Sequence, residues 1–196
     1  MHLDLQTRRL RLRSLDASYA EAVAGFLADN APHLEPWEPA RSPSYYTVSY
    51  QRELLLEDAD LMKLGQLCKA WIFLDDRLIG SVAFNNIIRG AFLSCHLGYR
   101  LDRREWNKGY MTESVRAMIA FAFERLGLHR IEANVMPRNG ASLRVLRKLG
   151  FYEEGLAYKY LKINGVWEDH LHMVLRNEKL EASEAKPSDG PVPRTG

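Results

Sequence analysis

A polar stretch in the middle of the chain, REWNKGYMTES at residues 104–114, runs directly into the apolar periodicity of a helix. Unpaired backbone amides at the start of that helix, helped by the positive end of the helix dipole, could bind an anion such as a phosphate. Arg103, Arg104 and Lys108 would add positive charge. The alternative is a turn that binds only water, because the single Gly109 is a weak signal and the glycine-rich nucleotide motifs are absent.

Glu132 is the best candidate for a general base. In the predicted strand HRIEANVM, the side chains of Arg130, Glu132 and Asn134 share one face, because successive side chains of a strand alternate between faces. A carboxylate that takes a proton from an amine, directly or through water, makes the amine nucleophilic. The alternative is that Glu132 only pairs with Arg130 or with a cation on a neighbouring strand.

The helix that follows, in RNGASLRVLRKLG, carries polar and basic residues with two possible uses. Asn139 and Ser142 lie at its start, where either could simply cap the helix. Arg144, Arg147 and Lys148 form either a solvated basic face or a contact for phosphate groups.

The composition excludes several classes of protein. The 196 residues suit one globular domain, and a formal net charge of +2 is too small to indicate nucleic-acid binding. The apolar runs are too short to cross a membrane, and the first residues read as a strand rather than an export signal. We therefore expect a cytoplasmic protein with one domain at 1–177, followed by a polar tail at 178–196 that is predicted to be disordered.

The two cysteines, Cys68 and Cys95, have no second Cys or His at metal-ligand spacing. The sequence therefore predicts neither a zinc site nor a disulfide, and we expect two buried thiols in strands with no metal. Cys95 and His96 are adjacent, so their side chains point to opposite faces and cannot form a nucleophile and base pair.

The apolar periodicity predicts a mixed α/β (α+β) chain. An antiparallel hairpin joined at residues 75–77 and a third strand precede a strand–helix–strand unit, which implies a parallel crossover. The predicted elements are a strand near 8–13, a helix capped by Asp16, a Pro-rich aromatic segment, a helix in TVSYQRELLLEDADL, the hairpin, a strand in AFLSCHLGYRL, a helix ending at Gly127, the HRIEANVM strand, the short helix, and two strands flanking Asn164 and Gly165.

The order of these elements and their motifs resemble the GNAT acetyltransferases. WNKGYM, Trp106 to Met111, matches the family's Q/R-x-x-G-x-G/A turn at Gly109, whereas Trp106 and Met111 depart from it. The segments WEPAR, GYMTESVRAMIAFAFERLGLHRIEANVMPRN and YLKINGVWEDH resemble the ribosomal-protein-alanine N-acetyltransferases of the RimJ type. The resemblance implies the acyl-CoA N-acyltransferase fold, a largely antiparallel central sheet splayed in the middle and flanked by helices.

The resemblance also implies a set of site residues. Acetyl-CoA would be the co-substrate, with Asn139 orienting it and Ser142 as the proton donor to the thiolate; Tyr99, Tyr152 and water are alternative donors. The residues expected to bind acetyl-CoA are Leu97, Gly98, Tyr99, Arg104, Trp106, Asn107, Lys108, Gly109, Tyr110, Met111, Thr112, Asn139, Ser142, Arg144 and Arg147. Apart from the resemblance, the Pro-rich aromatic segment offers Trp37, Glu38, Tyr45 and Tyr46 as residues that could line the acceptor cleft; the alternative is a packed surface lid.

Proton affinity favours one class of acceptor. A peptide α-amine has a reference pKa of about 7.7 to 8.0, against about 10.4 for a lysine side chain. Neutralising the lysine amine costs about 2.4 further pKa units, roughly 3.3 kcal/mol. We therefore predict direct transfer, in a ternary complex, to the N-terminal α-amine of a protein. The alternatives are a small or antibiotic-like amine and, in another class, a non-catalytic acyl-CoA-binding module. We expect no nucleic-acid or membrane partner.

Overall fold

An eight-stranded sheet forms the centre of the chain, whose computed structural model describes residues 2–184. The strands are β1 (Asp4–Gln6), β2 (Arg11–Arg13), β3 (Cys68–Leu74), β4 (Arg77–Ile88), β5 (Ser94–Leu101), β6 (Arg130–Val135), β7 (Tyr152–Ile163) and β8 (Val166–Arg176). They lie in the order β1-β2-β3-β4-β5-β6-β8-β7. The pair β5 and β6 is parallel and the other neighbouring pairs are antiparallel. The predicted mixed, largely antiparallel architecture is confirmed.

The sheet opens between β5 and β6. These strands pair over only three positions, from Ser94 opposite Arg130 to His96 opposite Glu132. Each strand continues beyond that point on its other side, β5 along β4 and β6 along β8. The two strands therefore diverge while remaining held by their outer neighbours, which leaves a wedge in the middle of the sheet.

Helices pack on both faces of the sheet. The helices are α1 (Ala20–Leu34), α2 (Val48–Lys63), α3 (Tyr110–Glu124), α4 (Gly140–Lys148) and α5 (Glu178–Glu184). Apolar residues of α1 and α2 pack with Trp71 and Phe73 of β3, whereas α3 and α4 pack in a second cluster with Ala70 and Ile72. Because alternate residues of a strand face opposite ways, the two helix pairs lie on opposite faces.

The helix α3 begins and packs as its sequence dictates. Gly109 occupies the N-cap with φ of 82°, a left-handed conformation that glycine adopts without steric cost. Met111, Val115, Met118 and Ala122 recur every three or four residues and are buried, forming one apolar stripe against the sheet. This packing fixes the first turn of α3 beside the opening of the sheet.

Two predictions at the ends of the chain need correction. The single strand predicted near 8–13 is wrong in extent, because Thr7 N–H donates to the Leu10 carbonyl and closes a turn between β1 and β2. The predicted disorder from residue 178 is wrong for Glu178–Glu184, which form α5. A contact of 2.7 Å between His129 Nε2 and Glu181 Oε1 holds this helix against the rest of the chain. The rest of the predicted tail, 185–196, lies outside the described residues.

Candidate active site

A cleft of about 750 Å³ occupies the wedge between β5 and β6. Most of the residues predicted to bind acetyl-CoA or the acceptor line it: Trp37, Glu38, Leu97, Gly98, Tyr99, Trp106, Asn107, Gly109, Tyr110, Met111, Thr112, Asn139, Ser142 and Arg144. The predicted residues that do not line it are Tyr45, Arg104, Lys108, Glu132 and Arg147. The structure thus brings together residues from the α1–α2 connection, β5, the start of α3, and α4.

The turn before α3 presents a run of free amides to this cleft. Asn107 and Gly109 both have left-handed backbones, with φ of 61° and 82°. Within residues 2–184, the backbone N–H groups of residues 107–112 donate to no protein acceptor. Alternating backbone handedness gathers such N–H groups into an anion-binding concavity, and the helix dipole adds positive potential. The turn therefore has the donors that a pyrophosphate requires.

The two side chains that depart from the family motif are not needed to form this run of amides. Met111 is buried in the core cluster that α3 shares with the sheet. The Trp106 indole N–H donates to the Leu101 carbonyl at 3.2 Å, and its ring packs edge-on against His33. Both side chains hold the turn in place rather than supplying its donors.

An ion pair from the N-terminal hairpin clamps the same turn. Arg9 donates to the Lys108 carbonyl at 3.0 Å and to Glu113 of α3 at 2.7 Å, and its guanidinium lies over the Tyr110 ring. Glu113 also accepts from the Thr7 hydroxyl at 2.7 Å. Although burial opposes its ionisation, these hydrogen bonds keep the pKa of Glu113 below its ordinary value. The sequence offers no signal for this contact, because its partners lie about a hundred residues apart.

The basic residues near the turn divide into two groups. Arg104 donates to Asp102, and Lys108 donates to Glu105 at 3.0 Å, so both cations already have carboxylate partners. Arg144 of α4 lines the cleft instead. Lys148, one turn further along α4, lines it as well, whereas Arg147 does not.

A hydroxyl pair lies between β5 and α4. Tyr99 Oη is 2.7 Å from Ser142 Oγ, and both residues line the cleft. Burial raises the pKa of Tyr99 to about 12, although the hydrogen bond to Ser142 acts in the opposite direction. Asn139 caps α4 through its side-chain oxygen, which accepts from the Ser142 backbone N–H at 3.1 Å. The Ser142 hydroxyl therefore takes no part in capping α4, and it lies beside the Tyr99 phenol, which stays protonated.

Glu132 lies at the vertex of the wedge and is engaged in ion pairs. Arg130 Nε donates to Glu132 Oε1 at 2.7 Å, and the same guanidinium holds Glu154. The other oxygen, Oε2, lies 3.6 Å from His96 Nε2. The pairing with Arg130 that the sequence offered as an alternative is present, and a base role for Glu132 stays a prediction.

The side of the cleft that contains the predicted acceptor residues is built from charged and aromatic side chains. Glu38 Oε1 lies 3.3 Å from Arg100 Nε, and the Arg138 guanidinium lies over the Trp37 ring. Tyr45 accepts from Arg100 at 3.1 Å and lines a smaller cavity of about 260 Å³, which shares Glu38 and Arg100 with the cleft. The three predicted acceptor residues thus lie in one connected region.

The cleft is also lined by polar residues that the sequence did not single out. Asp58 pairs with Lys69 at 2.6 Å, and His170 of β8 reaches the cleft from the far side of the wedge. Lys69 of β3 pairs with Ala83 of β4, and Ala83 pairs with Gly98 of β5. These three residues form one row across the sheet, and all three line the cleft. Strand register aligns these positions, and no local motif could have revealed it.

The thiols cannot serve as nucleophiles. Cys68 and Cys95 are buried in β3 and β5, as the sequence predicted. Burial raises the pKa of each thiol to about 12, so neither forms thiolate at neutral pH. In residues 2–184, no group of three or more His, Cys, Asp or Glu side chains could hold a metal ion. In the same residues, no helix is long and apolar enough to span a membrane.

Residues 9–152 match the family model described as an acetyltransferase (GNAT) domain. The chain belongs to the GNAT acetyltransferase family. It is 43% identical over 175 residues to the Probable N-acetyltransferase YjcK of Bacillus subtilis, covering 88% of this chain and 97% of that protein. It is 37% identical over 170 residues to the [Ribosomal protein uS5]-alanine N-acetyltransferase of Escherichia coli, covering 85% and 87%. The family resemblance predicted from the motifs is confirmed.

A solved structure in complex with coenzyme A extends the similarity to the fold. Mycobacterium smegmatis RimJ in complex with CoA-disulfide superposes with a TM-score of 0.85 at 29% identity, covering 91% of this chain and 88% of that one. The protein is an acetyl-CoA-dependent acetyltransferase. The residues present fit that co-substrate, because the free amides of residues 107–112 supply donors for its pyrophosphate and the cleft continues from them to the Ser142 hydroxyl.

Proposed function

We propose that the protein acetylates the N-terminal α-amine of another protein, and that a ribosomal protein beginning with Ala or Ser is its substrate class. The observation that carries this proposal is the continuity of the cleft. It extends from the free amides before α3, past Ser142, to the charged rim at Glu38 and Arg100. An acceptor chain end entering at that rim would meet the acetyl group in the middle of the sheet. The named activity of the E. coli relative supports the same acceptor class.

The basicity of the acceptor supports an α-amine over a lysine side chain. The carboxylates that line the cleft in the described residues are Glu38, Asp58 and Glu105, and each has a cationic partner. A carboxylate that is held in an ion pair is less available to take a proton from an amine. A site of this kind is suited to an amine that is already partly neutral near pH 7, and the α-amine has a reference pKa of about 7.7 to 8.0.

The side chains support direct transfer in a ternary complex. Acetyl-CoA supplies an acetyl group on a thiol leaving group, and the amine nitrogen forms the new bond to the carbonyl carbon as the carbon–sulfur bond breaks. Ser142 donates its hydroxyl proton to the departing thiolate and regains a proton from Tyr99, whose Oη lies 2.7 Å away, and Tyr99 takes up a proton from solvent to complete the cycle. The high pKa of Tyr99 keeps that proton in place until it is needed. The amine proton leaves to a base on the acceptor side.

Acetyl transfer across a panel of acceptors tests this proposal. The panel contains peptides that begin with Ala, Ser or Met, the same peptides with a blocked α-amine and an internal lysine, and small amines including a polyamine. We expect kcat/KM to be highest for the Ala and Ser peptides. Preference for a small amine, or transfer to lysine in the blocked peptides at an equal rate, would refute the proposed acceptor class.

A further inference from the structure

His170 is a buried imidazole that faces the cleft. It lies on β8, is 4% exposed, and lines the cleft from the side opposite β5. Val135, the last residue of β6, pairs with Leu171, so His170 lies just beyond the end of β6, where the sheet has opened. This side of the cleft adjoins the acceptor rim at Trp37, Glu38 and Arg138.

The hydrogen bond of His170 determines which of its nitrogens carries the proton. Nδ1 lies 3.1 Å from the Glu168 backbone carbonyl oxygen. A carbonyl can only accept a hydrogen bond, so Nδ1 is the donor, and the neutral ring leaves its lone pair on Nε2. In the described part of the chain, Nε2 has no hydrogen-bond partner. The neutral ring therefore leaves an unpaired proton acceptor on a residue that lines the cleft.

The ring is held rigidly in this orientation. Tyr160 packs against it with ring centroids 5.4 Å apart, and Tyr160 Oη accepts from Asn134 Nδ2 at 3.0 Å. The register of β7 shifts between Ala157 and Leu161, where Lys159 has φ of 48° and its N–H donates to Asp169 at 2.7 Å. Such bulges redirect side chains and recur beside active sites. The bulge brings Tyr160 over the imidazole.

The other candidate bases are all paired with cations. The three carboxylates that line the cleft are in ion pairs, and Glu132 is held by Arg130 without lining the cleft. The Tyr160 ring contacts both His170 and His172. The charged side chains that line the cleft together with His170 are Glu38, Arg41, Asp58, Lys69, Arg100, Glu105, Arg138, Arg144 and Lys148. Within residues 2–184, His170 is the base at the cleft without a cationic partner.

We propose that His170 is the catalytic general base of the transfer reaction, an inference that rests on the proposed function. As the amine nitrogen bonds to the acetyl carbon, one of its N–H bonds breaks and the proton moves to His170 Nε2. The carbon–sulfur bond breaks at the other side, and the thiolate takes the Ser142 proton. The resulting imidazolium, stabilised through Nδ1–H by the Glu168 carbonyl, returns its proton to solvent. Charge and protons balance over the cycle.

His170→Asn is the primary test, because the Asn amide can still donate to the Glu168 carbonyl but has no lone pair at the position of Nε2. With the best acceptor of the panel, we expect kcat to fall by about 10²-fold or more, the lower range for loss of a general base. Acetyl-CoA affinity should stay within about twofold, as for a substitution outside the binding contacts. The control is His172→Asn, which removes an imidazole that contacts the same Tyr160 ring but does not line the cleft.

Chemical rescue separates a base from a structural residue. In His170→Gly, added imidazole should restore part of the lost kcat, with saturation in imidazole, whereas a residue that only packs would not respond. The proposal is overturned if His170→Asn keeps wild-type kcat, or if imidazole fails to rescue a His170→Gly protein that binds acetyl-CoA normally. If Glu132→Gln loses activity while the separate His170→Asn variant stays fully active, Glu132 is the base and the proposal is overturned.

The same measurements distinguish a failure of the His170 proposal from a failure of the proposed acceptor class. The wild-type protein identifies the amine that it acetylates before any variant is assayed. If that amine is a small molecule, the proposed acceptor class fails, while the His170 variants still report on the base with the amine found. If an α-amine is acetylated and His170→Asn is fully active, the base proposal fails alone.

Discussion

The two halves of the cleft offer a ligand different kinds of group. The half formed by the turn before α3 offers main-chain amides, which most side chains would leave in place. The half formed by the α1–α2 connection and β8 offers particular side chains, among them Glu38, Arg100 and His170. The contrast explains how Trp106 and Met111 can depart from the family motif in the first half. It also predicts that substitutions in the two halves will change different kinetic constants.

Ser142 lies where the two halves of the cleft meet. Among the variants described in this section, Ser142→Ala should have the largest effect. We expect kcat to fall by about 10²-fold or more, because the thiolate loses its proton donor. The helix cap should survive, since Asn139 accepts from the Ser142 backbone N–H. Steady-state kinetics and an acetyl-CoA titration check this, and unchanged kcat would assign proton donation to Tyr99 or to water.

Gly109→Ala tests whether the amides of the first half bind the co-substrate. A left-handed Ala costs roughly 1 to 2 kcal/mol. Its Cβ would make only an ordinary contact with Arg9 Nη2, at 3.4 Å, so the backbone strain rather than a clash should distort the turn. We expect acetyl-CoA Kd to rise by about tenfold, the equivalent of about 1.4 kcal/mol.

The matched control for Gly109→Ala is Gly127→Ala beyond the other end of α3. Gly127 also has a positive φ, of 61°, with open space around it, so Ala there should bear comparable strain without touching the cleft. We expect lower stability and unchanged acetyl-CoA Kd. Equal loss of affinity in both variants would show that α3 as a whole, rather than the turn, governs binding.

The Arg9–Glu113 clamp should make stability depend on pH. The pKa of Glu113 is depressed in the folded chain, so its contribution is present above the ordinary value of 4.5 and is lost as pH falls through the folded value. Glu113→Gln should therefore lower the free energy of unfolding by about 1 kcal/mol at pH 7, with Arg9 partly exposed. Denaturant unfolding at pH 7 and at acidic pH measures the difference, and a gap that stayed constant with pH would contradict the ionic clamp.

Trp106→Gln should have the smallest effect, although it restores a residue that the family motif prefers. If the amides carry the binding, acetyl-CoA Kd should change by no more than about twofold, as for a substitution that leaves the main-chain contacts intact. Isothermal titration of both proteins checks this. A large gain in affinity would mean that the side chain at this position contacts the co-substrate directly.

The sequence predicted the first half of the cleft better than the second for a physical reason. The turn, Gly109 and the Asn139 cap are local features, so their residue types and spacing indicate their structure directly. His170 and the Arg9–Glu113 clamp depend on strand register and on contacts distant in sequence.

Local patterns also predicted most elements, and the family resemblance predicted the open sheet, but neither revealed the details fixed by tertiary contacts. The strand expected near 8–13 became a hairpin, and α5 formed because His129 and Asn177 hold it. Arg104 and Lys108 looked like phosphate ligands from sequence, whereas in the structure Asp102 and Glu105 pair with them.

The choice between the two kinds of amine is the most direct test of the proposed function. A single peptide with a free N-terminal Ala and an internal lysine is incubated with the protein and acetyl-CoA, and tandem mass spectrometry locates the acetyl group. We predict modification of the α-amine well before any modification of the lysine, because deprotonating the lysine amine costs about 3.3 kcal/mol more than deprotonating the α-amine. Acetylation of the lysine first, or of neither amine while a small amine in the same mixture is acetylated, would contradict the account.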